Sequence, residues 1–371
     1  MDEQLVVIPG TTAGQHFTVP VLRFGVSGDG RKAYIQAGIH ADEAPALVVA
    51  QHLRMQLTEL ERRGAVVGEV VLIPMANPIG LSQYVLGRHE GRFDLADGIN
   101  FNRNFPLLAE IPAVTLRQQL SDDTVRNGRY VRSALRSAIA EIQAVTPAQN
   151  LKRMLLSLAV DADTVLDLHC DGEAVMHLYT LTTHAADFAP LARLIGARAH
   201  LVSENSGGHP FDEAVSRPWL ELARRFPECP LPAGPIATTL ELRGRADVDQ
   251  RTAAEDAEAI IKFLIVRGHI SGDVPVLPTA RCIVTPLEGC EALQAPSAGI
   301  VAYAVEVGAE VVEGALVAEI IDPMTGAVAP VRAAAAGVFF ARSSRRMAEA
   351  GMRLGKIAGN RPFRSGALLS P

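Results

Sequence analysis

The stretch QAGIHADEAPALVVA, residues 36–50, joins a predicted strand to a predicted helix and carries ionisable side chains at the junction. The run KAYIQAGI is typical of a buried strand, and EAPALVVAQHLRMQLTEL has the apolar spacing of a helix. His40, Asp42 and Glu43 lie between them. Because a strand end and a tight turn hold side chains rigidly beside a cleft, the junction suits a metal site. H-x-x-E alone is a weak signal, since a surface turn with a glutamate at a helix start has the same pattern.

Strand-like and helix-like segments alternate through the first two thirds of the chain. Strands are predicted in VVGEVVLIPMANP, DTVLDLH, VMHLYTLTT and PIATTLEL. Helices are predicted over residues 123–143 and 147–160 and in AAEDAEAIIKFLIV. This alternation predicts an α/β fold with a sheet flanked by helices. Residues 86–106, which are rich in Arg, Asn and Asp, are predicted to form a long functional loop.

The C-terminal part of the chain has a different sequence pattern, in which short β-like segments are separated by Gly and Pro. We therefore predict a catalytic domain over residues 1–275 and an all-β domain over residues 276–371, with one short helix near residues 345–350. The stretch APSAGIVAYAVEVGAEVVEGALVAEIID resembles the biotinyl/lipoyl-type barrel-sandwich hybrid. A carrier of that type needs a lysine at a hairpin tip, but the corresponding turn is DPMTG and no lysine lies between Arg281 and Gly355. The carrier function is therefore excluded, and a structural or gating role of the C-terminal domain remains possible.

Bulk composition excludes several classes of function. The 371 residues carry a formal net charge of −6 and no basic run, which argues against nucleic acid as a partner. The first residues, MDEQLVVIPG, lack the basic start of a secretory signal, and no uncharged apolar segment is long enough to span a bilayer. Four scattered cysteines form neither a disulfide framework nor a C-x-x-C pair. We therefore expect a cytoplasmic protein without a membrane partner.

A second histidine ends another predicted strand, in VLDLHCDGE. Together with His40 and Glu43, His169 would complete a three-ligand zinc site with an open fourth position, which is the catalytic pattern. Asp167 lies two residues earlier and is predicted to hold the second ring nitrogen of His169. Cys170 is not expected to be a ligand, because adjacent side chains on a strand face opposite sides.

Glu241 ends a further predicted strand, in ATTLELRG. A buried carboxylate beside zinc could take a proton from water and pass it to a leaving amine. The alternative is that Glu241 forms a structural ion pair with Arg243 or Arg245. This stretch of sequence does not distinguish the proton-transfer role from the ion pair.

The loop GRHEGRFDLADGINFNRNFP concentrates polar side chains that suit a substrate site. Guanidinium groups bind carboxylates bidentately and can stabilise an oxyanion. The candidates are Arg88, Arg92, Asn102 and Arg103. The alternative is a solvated loop in which acidic neighbours satisfy the arginines.

Taken in order, H-x-x-E, N-P, an arginine, D-G-x-N-x-N-R-x-F-P, D-x-H and a strand-end glutamate resemble the succinylglutamate desuccinylase/aspartoacylase family over about residues 30–265. These are zinc amidohydrolases with the carboxypeptidase A fold. The resemblance implies a zinc-carboxypeptidase-like mixed sheet and one zinc ion per chain, held by His40, Glu43 and His169. It also makes Glu241 the general base and acid.

The same resemblance assigns the substrate contacts. Asn102 and Arg103 would grip a substrate carboxylate, and Arg92 would polarise the scissile carbonyl, with Arg88 as the alternative. The segment CPLPAGPIATT before Glu241 contains neither Arg nor Tyr, which counts against N-acetylaspartate as the substrate.

The predicted function is zinc-dependent hydrolysis of the amide bond of a small N-acyl amino acid. Two alternatives remain open: a metallocarboxypeptidase that acts on short peptides, and a metal-binding relative without activity. A homo-oligomer is also left open. His209 and Asp212, in SENSGGHPFDEAVSRPW, are further candidates for substrate contact, whereas His184, His200 and His269 are expected at the surface.

Overall fold

The computed structural model describes residues 1–26, 28, 31–110, 116–359 and 368. None of the helices described there combines the length and the apolar character needed to cross a bilayer. The helices are α1 Ala44–Arg62, α2 Pro78–Leu81, α3 Thr124–Glu141, α4 Pro147–Ala159, α5 Ala185–Leu194, α6 Phe211–Arg225 and α7 Gln250–Val266. The strands are β1 Asp2–Pro9, β2 His16–Gly25, β3 Lys32–Ala37, β4 Glu69–Ile73, β5 Tyr84–Val85, β6 Arg88–His89, β7 Thr164–Asp171, β8 Glu173–Ala174, β9 His177–Leu181, β10 Ala199–Ser203, β11 Ile236–Gly244, β12 Val284–Pro286, β13 Cys290–Gln294, β14 Gly299–Tyr303, β15 Glu310–Val311, β16 Leu316–Ile321, β17 Val328–Arg332, β18 Gly337–Arg342, β19 Met347–Ala348 and β20 Arg353–Gly359.

A large mixed sheet runs through the described part of the chain in the order β1-β2-β4-β3-β7-β11-β9-β10-β12. At its centre β4, β3, β7 and β11 are parallel, so their carboxyl ends share one edge. Ala37 on β3 pairs with Leu168 on β7, and Glu241 on β11 pairs with His169 on β7. Because β3 and β7 are neighbours, the loop that follows β3 lies beside His169.

Both faces of the central sheet are covered, which explains why its strands are continuous apolar runs. On β3, Tyr34 belongs to a core cluster with Phe211 and Trp219 of α6. Ile35 belongs to the opposite cluster, which includes Leu53 of α1 and residues of α7. Successive side chains therefore enter different cores, and the strand end is held from both sides.

The predicted helices at residues 123–143 and 147–160 are confirmed as α3 and α4. Asp123 caps α3 by accepting the Val125 and Arg126 N–H groups. Thr146 and Gln149 form a reciprocal capping box at the start of α4. The predicted α/β fold with additional C-terminal strands is likewise confirmed.

The C-terminal strands form two smaller sheets, ordered β13-β20-β18-β15 and β17-β16-β14-β19. The predicted helix near residues 345–350 is wrong, because β19 pairs with β14 there. A helix of six residues is barely stable by itself, because so few residues offer little to offset the cost of starting a helix. The segment therefore pairs with the edge of the sheet instead. The strand β12 follows residue 276 yet pairs with β10 of the large sheet, and β8 pairs with β18. The division at 275/276 stays a prediction.

Candidate active site

Three predicted ligands converge at the shared edge of β3 and β7. His40 follows β3, Glu43 precedes α1, and His169 lies on β7; their donor atoms lie within 4.8 Å of one another. The two Glu43 oxygens lie 2.9 Å from His40 Nδ1 and 2.9 Å from His169 Nδ1, respectively. All three side chains are buried. The structure thus brings together residues separated by more than 120 positions in the sequence.

An oxygen acceptor also holds the second nitrogen of each imidazole. His40 Nε2 lies 2.7 Å from Asn100 Oδ1, and His169 Nε2 lies 3.0 Å from Asp167 Oδ2. An acceptor at Nε2 keeps the ring proton there and leaves the Nδ1 lone pair available to a metal. This is the arrangement predicted for Asp167. The role of Asn100 was missed in the sequence, although it belongs to the D-G-x-N motif.

A buried chain of side chains fixes Asp167 in turn. Gln36 Nε2 donates to Asp167 Oδ1 at 2.9 Å, and the Tyr34 hydroxyl donates to Gln36 Oε1 at 2.8 Å. All three are fully buried on neighbouring strands β3 and β7. The orientation of His169 is therefore fixed by the interior of the sheet.

The electrostatics of the cluster favour a cation between the carboxylates. Burial and the Arg92 charge lower the pKa of His40 to about 3, so this imidazole is neutral, as a metal ligand must be. Burial opposes charge on His169 as well, but Asp167 and Glu43 raise its pKa well above the ordinary value. The carboxylates of Asp167 and Glu43 thus stabilise one positive charge beside them. That charge can be a proton on His169 or a bound metal ion. Two imidazoles and one carboxylate could hold a divalent ion.

Arg92 lies at the edge of this cluster. Its Nη1 is 3.2 Å from Glu43 Oε1 and 3.3 Å from His40 Nδ1. Arg88 lies on the exposed β5–β6 hairpin, and the structure does not bring it into the group. Of the two arginines predicted for the carbonyl, only Arg92 lines the cavity that contains the cluster.

Asn102 and Arg103 form the next part of the wall, and both are buried. Asn102 Oδ1 accepts the Phe211 N–H at 2.9 Å, and its Nδ2 lies 3.2 Å from His169 Nε2. Arg103 Nη1 donates to the Asn102 carbonyl at 2.8 Å. Lys152 Nζ donates to the Arg103 carbonyl at 2.6 Å, which ties this turn to α4.

Glu241 lines the same cavity as Arg92 and Arg103. Its Oε2 is buried and accepts no hydrogen bond from the described residues. Its expected ion-pair partners are engaged elsewhere: Arg243 pairs with Asp256, and Arg245 Nη1 lies 2.7 Å from Asp42 Oδ2. Burial raises the pKa of Glu241 to about 7, and repulsion from Asp171 adds to the effect. This carboxyl can thus exchange a proton near neutral pH.

One cavity of about 430 Å³ contains these groups. Its other side is formed by residues 341–345 and 353–356 of the C-terminal strands. Lys356 Nζ lies 2.5 Å from Asp171 Oδ2 and 3.4 Å from the Tyr179 hydroxyl. Lys356 was missed as a cavity residue. The available signal was the lysine itself, which is one of only four in the chain and lies in the β-like segment GMRLGKIAG.

The remaining sequence candidates lie at different kinds of position. Asp212 lines the cavity, whereas His209 does not. The expectation that His184, His200 and His269 lie at the surface is wrong, because all three are buried. Two of them contact threonine hydroxyls: His200 Nε2 lies 3.0 Å from Thr180 Oγ1, and His269 Nε2 lies 2.9 Å from the corresponding atom of Thr164.

These observations define an α/β protein with a candidate metal centre at the carboxyl ends of parallel strands. The family model described as the succinylglutamate desuccinylase/aspartoacylase catalytic domain matches residues 29–267, and the chain belongs to this family. The resemblance seen in the sequence is confirmed.

Individual relatives extend the similarity over nearly the whole chain. A family protein from Shewanella amazonensis superposes with a TM-score of 0.83 at 29% identity, covering 96% of this chain and 98% of its own. A second, from Shewanella frigidimarina, gives 0.84 at 27% identity, with 97% of each chain covered. The N-alpha-acetyl-L-2,4-diaminobutyric acid deacetylase of Halomonas elongata is 26% identical over 334 residues, which is 85% of this chain and 78% of the relative.

Proposed function

We propose that the protein is a zinc-dependent deacylase that hydrolyses the amide bond of an N-acyl amino acid, releasing a carboxylate and a free amino acid. One observation supports this most directly: Glu241, whose buried Oε2 accepts no hydrogen bond from the described residues, lines the same cavity as His40 and His169 of the candidate metal cluster. Zinc suits two imidazoles and a carboxylate, and when bound it would acidify water and polarise a carbonyl.

Glu241 acts as the proton carrier in this proposal. As a carboxylate it accepts a proton from the water that attacks the amide carbon. It then donates that proton to the departing nitrogen, so that the amine leaves in a neutral form. The raised pKa suits both steps, because the group gains and loses a proton near neutral pH.

The two arginines divide the recognition of the substrate. Arg92, beside Glu43, donates to the oxygen that becomes negative as the carbonyl carbon turns tetrahedral. Arg103, deeper in the wall, binds the carboxylate of the amino acid and fixes the register of the scissile bond. Asn102 positions Arg103, whose Nη1 donates to the Asn102 carbonyl, and its own side chain lies beside His169.

The shape of the cavity favours a small substrate over a peptide. The C-terminal strands contribute residues 341–345 and 353–356 to the lining of the cavity, and its volume of about 430 Å³ suits an acylated amino acid. The Halomonas relative is named for an acetylated amino acid, which agrees with this size. We therefore place a metallocarboxypeptidase activity second.

A substrate panel tests the proposal. The purified, zinc-loaded protein is incubated with N-acetyl and N-succinyl amino acids and, separately, with di- and tripeptides, and the free amine is quantified. We expect hydrolysis of at least one N-acyl amino acid that stops when a chelator removes the metal and returns with zinc. Hydrolysis of peptides alone would support a carboxypeptidase, and inactivity on every substrate with zinc bound would support an inactive relative.

A further inference from the structure

One acidic side chain of the cavity has no part in the proton transfer proposed for Glu241. Asp212 is the second residue of α6 and lines the same cavity as Arg103 and His169. Only 6% of its surface is exposed, yet Oδ1 accepts no hydrogen bond from the described residues. A buried carboxylate oxygen without a donor is costly, so a ligand that supplies one would be stabilised there.

The position of Asp212 is fixed relative to the metal cluster. The Phe211 N–H donates to Asn102 Oδ1 at 2.9 Å, and the amide nitrogen of Asn102 lies 3.2 Å from His169 Nε2. The start of α6 is therefore hydrogen-bonded to a side chain that lies beside a candidate ligand histidine. Asp212 follows directly, on the side of the cavity that holds Arg103.

The position of Asp212 in the first turn of a helix accounts for it only in part. A carboxylate in the first turn of a helix is favoured by the helix dipole, but that effect does not require burial in a cavity. The neighbouring acid behaves differently: Glu213 Oε1 accepts the Ser206 N–H at 2.8 Å, and its Oε2 lies 3.6 Å from Arg217 Nη1. Glu213 Oε2 also accepts no hydrogen bond from the described residues, but the Arg217 charge faces it, whereas Asp212 forms no ion pair with any residue that the structure describes.

We infer that Asp212 binds a positively charged group on the side chain of the substrate, so that the cavity selects N-acyl derivatives of diamino acids. The inference rests on the proposed deacylase function. In an N-acyl amino acid the α-nitrogen is an uncharged amide, so an ammonium group that reaches Asp212 must belong to the side chain. With the α-carboxylate on Arg103, a short aminoalkyl side chain can lie along the same wall.

The surroundings of Asp212 agree with a cationic ligand. Burial raises the pKa of Asp212 to about 7, and repulsion from Glu213 adds to this. An ammonium group would offset both effects through a charge-assisted hydrogen bond. Ser203, Ser206 and Thr180 line the same cavity and give this region a polar wall.

A matched pair of substrates and a matched pair of variants test the inference. Nα-acetyl-L-diaminobutyrate carries an ammonium on its γ-carbon, and N-acetyl-L-norvaline carries a methyl group in its place. We expect kcat/KM of the zinc-loaded protein to be about 10- to 100-fold higher for the charged substrate. Asp212→Asn should remove most of this ratio and retain activity on the norvaline substrate, which also shows that the variant is folded. Asp187→Asn, in the first turn of α5 and outside the cavity, should keep the wild-type ratio.

The outcomes separate this inference from the deacylase function. Equal or better hydrolysis of the norvaline derivative by the wild type would overturn the role of Asp212 and leave the deacylase in place. If no N-acyl amino acid is hydrolysed, the deacylase proposal fails, and calorimetric binding of free L-diaminobutyrate against L-norvaline decides about Asp212. A preference for diaminobutyrate that Asp212→Asn abolishes supports the cation site, and the absence of any preference overturns it.

Discussion

Glu241 and His169 lie opposite each other on the neighbouring parallel strands β11 and β7. The pairing of the two strands therefore sets the separation between the proposed proton carrier and a candidate metal ligand, and no flexible loop is involved. Both side chains line the same cavity. A change of charge at position 241 should thus affect chemistry without disturbing the ligands, provided that the strand register is kept.

The first prediction concerns Glu241→Gln. The amide keeps the size of the side chain but cannot take a proton from water, so kcat should fall by about 10²- to 10⁴-fold while zinc stays bound. Metal content and steady-state kinetics on the best substrate measure the two effects separately. Glu258→Gln, on the solvent side of α7, is the control and should retain full activity. Near-normal turnover of Glu241→Gln would remove Glu241 from the proton-transfer role.

The second prediction concerns the acceptor on His169. In Asp167→Asn the amide that replaces the carboxylate supports the ring proton of His169 less well, and metal affinity should fall by about 10- to 100-fold. Competition with a fluorescent chelator measures the affinity. Asp161→Asn, in a surface ion pair with Lys32, should bind zinc as the wild type does. Unchanged affinity of Asp167→Asn would show that the sheet alone orients the imidazole.

The sequence predicted the parts of the site that follow from local pattern. Short apolar runs that end in His169 and Glu241 predict strand ends, and parallel strand ends share an edge, so their convergence could be expected. Contacts that depend on how distant segments pack could not be predicted in this way. Lys356 reaches Asp171 only because β20 lies beside the large sheet, 185 positions along the chain. A lone histidine such as His200 has the same sequence signature whether its ring meets water or a threonine hydroxyl.

The third prediction concerns the glycine that packs on Arg103. Gly208 has a φ of +78°, and a Cβ there would lie 2.7 Å from Arg103 Cδ. Gly208→Ala should therefore displace the guanidinium and raise KM about 10-fold or more, with a smaller effect on kcat. Kinetics on the best substrate measure both.

The control for that variant is Gly314→Ala. Gly314 has a similar φ of +82°, but a Cβ there meets nothing within 4 Å. Both variants carry the cost of a left-handed backbone, about 1 kcal/mol, so their melting temperatures should fall by similar amounts. A rise in KM that is equal in the two variants would mean that Arg103 is not held by Gly208.

The fourth prediction concerns acid stability. Burial lowers the pKa of His200 and His269 to about 4, whereas an unfolded histidine titrates near about 6.5. Between these values the unfolded chain binds more protons, so the free energy of unfolding falls as the pH drops. Each of the two histidines should lower the free energy of unfolding by about 2 kcal/mol when the pH falls from about 7.5 to about 5. Urea denaturation of the chelator-treated protein at both pH values measures the change without a contribution from metal release.

The variant His269→Gln isolates one of these contributions. His269 Nδ1 has no hydrogen-bond partner among the described residues, and Nε2 contacts Thr164, so an amide can keep that contact without titrating. The pH dependence of the free energy of unfolding should shrink by about 2 kcal/mol relative to the wild type. His16→Gln, at an exposed position, should leave the dependence unchanged. If His269→Gln retains the full dependence on pH, the buried imidazole takes up its proton without unfolding the chain, and acid loss of stability must come from other groups.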